Sequence, residues 1–291
     1  MKRRDFLGFS LLFLASCAEA TTNRNNTKIT SEKLRFTVTE TQSIEELQRD
    51  YGALKTVLEE IWETKIEFVP IGSYTAAAAA LQLDQVDLVL TGPSEYVVMR
   101  ARTNAVPVIA LTRPNYHTVI SVTVNSGIKS VAQLKGKKVA MWEIGSTSGH
   151  LGPTKMLMDA GLNPQSDVKI FMLKGDGLPA LRKGKVDAWA GSAVKYEKFL
   201  QDEALLEKNL PLIAKGPLLP NDLFVANSKF DANFIKDISA KMLDNQDKLL
   251  SSLLSVEEGK YKGSQLISTS DANYDMIRQV YEAIGQGSFV K

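Results

Sequence analysis

Three hydroxyl side chains in a row between two glycines, Gly145-Ser146-Thr147-Ser148-Gly149, are the part of this sequence best suited to chemistry. They follow a predicted strand at 138–142 and open a predicted helix. At such a junction the first backbone N–H groups lack helical partners and the helix dipole is positive. Glycine lets the backbone approach a ligand closely and the hydroxyls add donors, so the segment suits a tetrahedral oxyanion. An ordinary N-cap needs one hydroxyl, and three exceed that need. Hydrogen bonds to a charged group contribute about 1.5–3 kcal/mol each, so several converging donors hold a small anion without a cationic side chain.

The same residues argue against catalysis. A hydrolase elbow of the form Gly-x-Ser-x-Gly has Thr147 at its centre here. A nucleotide loop needs Gly-Lys-Ser/Thr, which is absent from the sequence. The two histidines, His117 and His150, are far apart and the single cysteine, Cys17, lies at the end of an apolar leader, so no metal spacing emerges. No nucleophile, base and orienting group come together, and neither an enzyme nor a cofactor is expected. His150 falls in the first turn after the hydroxyl run, but a lone histidine more often packs than binds, and it is left unassigned.

The N-terminus sets the compartment. Met1-Lys2-Arg3-Arg4 is basic and 6–15 is a short apolar core, the pattern of a secretion signal at 1–16. A membrane span needs about 20 apolar residues, more than this run supplies. Leu14-Ala15-Ser16-Cys17 resembles a bacterial lipobox, which makes Cys17 the lipidated residue of a membrane-anchored periplasmic protein. As the only cysteine it forms no intramolecular disulfide. Arg3-Arg4-Asp5-Phe6-Leu7 also resembles a twin-arginine motif, although paired basic residues are ordinary in any leader, so either export route stays open. Cleavage removes 16 of 291 residues, leaving 275, and takes three of 35 basic and one of 33 acidic side chains, leaving 32 of each. A neutral chain gives no electrostatic reason to expect nucleic acid. Residues 17–31 are polar and aperiodic and read as a flexible tether.

Beyond the tether, short apolar runs alternate with amphipathic stretches, as in an α/β protein. Strands are predicted at 34–38, 66–69 and 87–90, with helices at 44–63 and 74–83. Leu47, Tyr51, Leu54, Leu58 and Ile61 share one face of the first helix. A second set begins with strands at 119–124 and 138–142 and helices near 149–160 and 177–183, and a helix-rich stretch from 230 returns to the first set. The expected division is one lobe of 32–118 plus 226–291 and a second of 119–225.

Four segments then stand out together: Gly72-Ser73-Tyr74-Thr75, Asn115-Tyr116-His117-Thr118-Val119-Ile120, Ser146-Thr147-Ser148-Gly149 with Pro153, and Leu218-Leu219-Pro220-Asn221-Asp222. In this order they resemble the phosphonate/phosphite/phosphate-binding protein family, over most of 34–225. The resemblance implies the two-lobed periplasmic binding-protein fold of type II, each lobe a mixed sheet flanked by helices, with ligand in the cleft. It also implies a monomeric extracytoplasmic receptor that delivers a small phosphorus oxyanion to an ABC permease. By resemblance, Tyr74 and Tyr116 supply hydroxyl donors, Ser146, Thr147 and Ser148 grip the phosphorus oxygens, and Asp222 is an acidic ligand contact. From its neighbours alone Asp222 reads as a turn aspartate after Pro220-Asn221. An ionised carboxylate only accepts hydrogen bonds, so in the implied role it selects a ligand oxygen that carries a proton and repels sulfate.

The sequence departs from the family's aminoalkylphosphonate binders. Val186-Asp187-Ala188 runs into Trp189-Ala190-Gly191-Ser192 without the carboxylate that holds a ligand ammonium, and Asp176 stands where the family has a histidine after glycine. Asp176 is therefore a further candidate contact, and phosphite, phosphate or methylphosphonate is expected ahead of aminoethylphosphonate. Two alternatives remain: a receptor of the same fold for another small solute, such as a sulfonate or a vitamin precursor, and a sensor lipoprotein without transport.

Overall fold

The computed structural model describes residues 33–291 apart from 40, 42, 74, 75, 255 and 257–259. Residues 1–32, which include the leader and Cys17, and Tyr74 thus lie outside the described residues.

The first lobe begins β1 (Lys33–Val38), α1 (Ile44–Trp62), β2 (Lys65–Phe68), α2 (Ala76–Gln82), β3 (Leu88–Thr91), α3 (Pro93–Thr103) and β4 (Val106–Leu111). The start of α1 is fixed by Ser43, whose hydroxyl accepts the Glu46 N–H, and by Glu45 and Glu46, whose charges suit the positive helix end. Leu47, Tyr51, Leu54, Leu58 and Trp62 recur every three or four residues and are all buried. Every residue of β3 is buried, as a central strand covered on both faces requires. Fully burying a large apolar side chain contributes about 1.5–3 kcal/mol, so these faces decide which way each element turns.

The second lobe contains β5 (His117–Val122), β6 (Lys138–Met141), α4 (Gly152–Asp159), β7 (Lys169–Met172), α5 (Gly177–Arg182), β8 (Ala188–Ser192), α6 (Ala193–Asp202) and β9 (Leu212–Leu218). The chain then returns through β10 (Asp222–Ala226), α7 (Ala232–Asp244), α8 (Gln246–Ser252), β11 (Leu266–Ile267) and α9 (Asp275–Ala283). The described strands form two sheets, in the orders β11-β4-β10-β3-β1-β2 and β7-β6-β8-β5-β9. Both are mixed: β1 runs parallel to β2 and β3 while β10 is antiparallel to β3 and β4, and β6 runs parallel to β7 and β8 while β5 is antiparallel to β8 and β9. Each is flanked by helices, with one core around Phe36, Leu54, Phe224 and Ile238 and another around Val89, Tyr96, Leu223 and Ile277 on the first sheet.

Two short links join the sheets, 112–116 and 219–221. The return to the first sheet therefore comes earlier than the expected boundary at 226. Asp222–Ala226 is already a central strand of the first sheet, because Leu223 and Val225 fill one of its cores while Phe224 fills the other. The lobes also touch away from the links. Leu151, from the second lobe, is buried in the first-lobe core that holds Tyr96, Tyr274 and Ile277.

Candidate functional site

Ser146, Thr147 and Ser148 stand where β6 hands over to α4, and all three are buried. The first turn is a π-turn (Thr147–Leu151) rather than the start of a regular α-helix, with both the His150 and Leu151 N–H groups donating to the Ser146 carbonyl. Such wide turns often mark functional sites. The sequence forces this one. Gly145 has φ +91°, a left-handed conformation that side chains resist. A Cβ on Gly149 would stand 2.3 Å from the Trp142 Cβ, so only glycine lets the turn lie against the end of β6. Ser146 Oγ accepts the Gly149 N–H, Thr118 Oγ1 donates to the Ser148 carbonyl, and Pro153 sits in the first turn of α4, where its missing N–H costs nothing.

These hydroxyls open onto a cavity of about 20 Å³. It lies between the lobes and is also lined by Gly92, Glu95, Arg113, Tyr116, Trp142, Trp189, Gly191, Ser192 and Lys195. Three helix beginnings meet there: Gly92 caps α3, Ser146 caps the π-turn and Ser192 caps α6, its hydroxyl accepting the Lys195 N–H. Positive dipole ends, a guanidinium and an ammonium make this an anion site. The Arg113 guanidinium lies 3.6 Å from the centre of the Tyr116 ring, and Lys195 Nζ lies 4.2 Å from that of Trp142. Both cations are thus held by aromatic faces. Trp189 is pressed flat against glycines: a Cβ on Gly191 or Gly177 would come within 2.3 Å or 2.7 Å of its ring.

Tyr116, Ser146, Thr147 and Ser148, expected from the sequence, are brought together here. Asp222 and Asp176 are not. Asp222 is buried beneath the site and accepts from Arg113 Nη1 at 3.2 Å, from Lys260 Nζ at 3.2 Å and from the Tyr261 hydroxyl at 2.9 Å. Its carboxylate faces cations of the protein, which fixes Arg113 against the cavity wall and differs from the ligand-facing role implied by resemblance. Asp176 is exposed at the N-terminus of α5, outside the cavity. Tyr74 lies outside the described residues.

Glu95, Arg113, Trp142, Trp189, Ser192 and Lys195 were missed. The rule that found 145–149, glycine and hydroxyl residues where a strand meets a helix, applies equally to Gly92-Pro93-Ser94-Glu95 and to Gly191-Ser192. The other members come from separate segments with no spacing in common.

Ser94 ties the lobes beside the cavity. Its Oγ lies 2.6 Å from the Gly145 carbonyl and 2.7 Å from Thr147 Oγ1, and its backbone N–H donates to Thr147 Oγ1 at 3.1 Å. His150 Nδ1 accepts the Gly145 N–H at 3.2 Å, and burial holds its pKa below the ordinary 6.5, favouring the neutral ring that this bond requires.

The model of the ABC transporter, phosphonate, periplasmic substrate-binding protein family matches residues 36–270, most of the chain. The chain belongs to that family. It is therefore built as the extracytoplasmic substrate-binding component of an ABC transporter, a family of transporter receptors rather than enzymes. The phosphate-import protein PhnD of Mycolicibacterium smegmatis is 24% identical to it over 265 residues, 82% of each chain. Among solved structures, PhnD1 from Prochlorococcus marinus in complex with methylphosphonate has a TM-score of 0.72 at 20% identity, covering 88% of this chain and 99% of that one. The periplasmic aliphatic sulphonate binding protein SsuA from Escherichia coli is less alike, with a TM-score of 0.63 at 22% identity over 90% and 89% of the two chains. These likenesses fix the fold as a type II periplasmic binding protein, with the binding protein's cavity between its lobes.

Proposed function

We propose that this receptor captures a small phosphorus oxyanion, phosphite, phosphate or methylphosphonate, and delivers it to an ABC permease. The observation that carries the reading is the cavity of about 20 Å³ edged by Ser146, Thr147, Ser148, Arg113 and Lys195. A cavity this small suits a compact anion with a single phosphorus centre and has little room for a long substituent such as an aminoethyl chain. The hydroxyls, helix ends, Arg113 and Lys195 donate to the anion, while Asp222 acts as a positioning residue by holding Arg113. The Ser94–Thr147 contact and the seating of Leu151 in the first lobe keep the lobes shut over the ligand. Tyr74 is proposed to add a hydroxyl from the first lobe, and lipid on Cys17 to hold a monomeric receptor at the membrane surface.

Calorimetric titration of the full chain in mild detergent with phosphate, phosphite, methylphosphonate, aminoethylphosphonate and sulfate tests the proposal. The expected result is one-to-one binding of the first three, weak binding of the fourth and silence with sulfate. Silence with every phosphorus anion sinks it. The likeness to a sulphonate binder supports a second reading, and methanesulfonate added to the panel decides between them.

A further inference from the structure

We infer that His150 is a positioning residue of the anion site: its neutral ring holds Gly145, and with it the hydroxyl turn, in the shape that closes on the ligand, so acid loosens the grip on the anion. The inference rests on the phosphorus-anion reading above and adds how that site is made to let go.

His150 lies in the π-turn, and its side chain reaches back to the residue that precedes the hydroxyls: Nδ1 accepts the Gly145 N–H at 3.2 Å. At the other end of the same residue, the Gly145 carbonyl accepts from Ser94 Oγ of the first lobe at 2.6 Å. Gly145 is thus gripped from both lobes, and a glycine at φ +91° has the freedom to leave its place once a grip is lost. His150 is fixed through its own backbone. Its N–H donates to the Ser146 carbonyl at 3.0 Å and its carbonyl accepts from Thr154 Oγ1 at 2.7 Å, so Gly145 is the partner that yields. His150 does not line the anion cavity. It lines a separate open groove of about 670 Å³, together with Met158 and Asn163 of the second lobe and Ile284 and Gln286 of the first. Water in the groove gives protons access to the ring, and parting of the lobes removes one of the groove's walls.

A proton on Nδ1 turns an acceptor into a donor that faces the Gly145 N–H, and the bond is lost. The closed form keeps Gly145 where Ser94 and the turn hold it. Once the lobes part, the Ser94 tie is gone and Gly145 can move off the charged ring, so protons favour the open form. Among the described residues lining the groove, His150 alone ionises. The turn packs against α3, α4, α9, β5 and β8, and β8 carries no ionisable side chain. Lys155 and Asp159 of α4 pair with each other, while Tyr96 and Arg100 of α3 and Arg278 of α9 gather on Asp271, with Arg278 also meeting Asp275. The other groups on these elements are Glu95 and Arg102 of α3, His117 of β5 and Tyr281 and Glu282 of α9. None offsets burial, which holds the His150 pKa below the ordinary 6.5. As the groove opens the ring returns toward that value, so anion affinity is complete above pH 6.5 and falls as pH drops below it, by up to about tenfold per pH unit.

The test is phosphate affinity of the full chain in mild detergent at about pH 7.5 and about pH 5, on either side of the histidine range, for the parent, His150→Gln and His150→Phe. Phosphate changes its own protonation over this span, but equally for each protein, so the ratio of the two affinities is compared between proteins. The parent's ratio is expected to exceed that of His150→Gln by about tenfold, because the Gln carbonyl oxygen accepts from Gly145 at both pH values and does not titrate. His150→Phe has no acceptor and is expected to bind about fivefold more weakly than the parent at the higher pH, a loss that His150→Gln largely recovers. If His150→Phe does not fold, the parent and His150→Gln decide alone. Equal ratios in the parent and His150→Gln overturn the role of His150 while leaving the phosphorus reading intact. Failure of the parent to bind any phosphorus anion at the higher pH overturns the reading on which it rests.

Discussion

Replacing Asp222 by Asn separates two roles for the same carboxylate. Asp222 sits between two buried cations, with side-chain exposures of 2% for Asp222, 7% for Arg113 and 3% for Lys260, and also accepts from the Tyr261 hydroxyl. Removing one member of a buried ion pair leaves an uncompensated charge and costs about 3–5 kcal/mol; here two cations lose their partner at once. For a domain of this size each kcal/mol moves the midpoint by roughly 2–4 °C, so Asp222→Asn lowers Tm by about 6–20 °C. Arg113 also loses the contact that fixes it, so every anion binds about tenfold or more weakly and the phosphate-to-sulfate ratio stays put. Thermal unfolding followed by circular dichroism, with phosphate and sulfate titrations on the same sample, gives both numbers. A variant with parental Tm that has begun to bind sulfate refutes this account and restores Asp222 as the ligand's proton acceptor.

Gly149→Ala places a Cβ against Trp142 with no flexible atom to yield, which costs about 1–3 kcal/mol and distorts the hydroxyl turn. Phosphate binding is expected to fall at least as sharply as stability when both are measured. Ser94→Ala removes the Oγ contacts between the lobes and, at about 1 kcal/mol per hydrogen bond, weakens phosphate several-fold. Small-angle scattering of this variant should show a more open ligand-free form. Because the His150 pKa is lowered on folding, the unfolded chain takes up its proton first, so stability present above pH 6.5 declines as pH falls below it. His150→Gln should flatten that part of a melting-versus-pH curve. At Asp87 burial raises the pKa, but hydrogen bonds from Arg35 and Lys229 outweigh it and hold it below 3.8. Its contribution is therefore complete above the ordinary carboxylate range and disappears in strong acid, so Asp87→Asn should be less stable at pH 7 than at pH 2 relative to the parent.

What the sequence made legible has a local cause. The helix at Ile44–Trp62 was visible because its apolar spacing and the Ser43 cap act within a few residues. The hydroxyl turn was visible because its glycines and hydroxyls are contiguous, although nothing in the residue string marks it as a π-turn: that depends on Gly149 meeting Trp142 and on Gly152 meeting Thr118. Tyr116 was found through a short motif. The cations were not, since Arg113 and Lys195 reach one cavity only after the chain has crossed between sheets. Asp222 was found and given a different task, because no pattern reveals that Arg113 and Lys260, 109 residues before it and 38 after it in number, converge on its oxygens. The lobe boundary expected at 226 fell late for a similar reason: the apolar run of β10 suits either sheet, and pairing with β3 and β4 decides.

The central claim is that an anion is held between the lobes by the hydroxyl turn and Arg113. Trp142 and Trp189 line that cavity, so intrinsic fluorescence reports its occupancy. The direct measurement is a fluorescence titration with phosphate of the full chain and of Arg113→Met. The account predicts a saturable one-to-one change in the parent and affinity lower by roughly 10- to 150-fold in the variant, the loss of one charge-assisted contact. Equal affinity in the two, or no phosphate-dependent change in the parent, contradicts it.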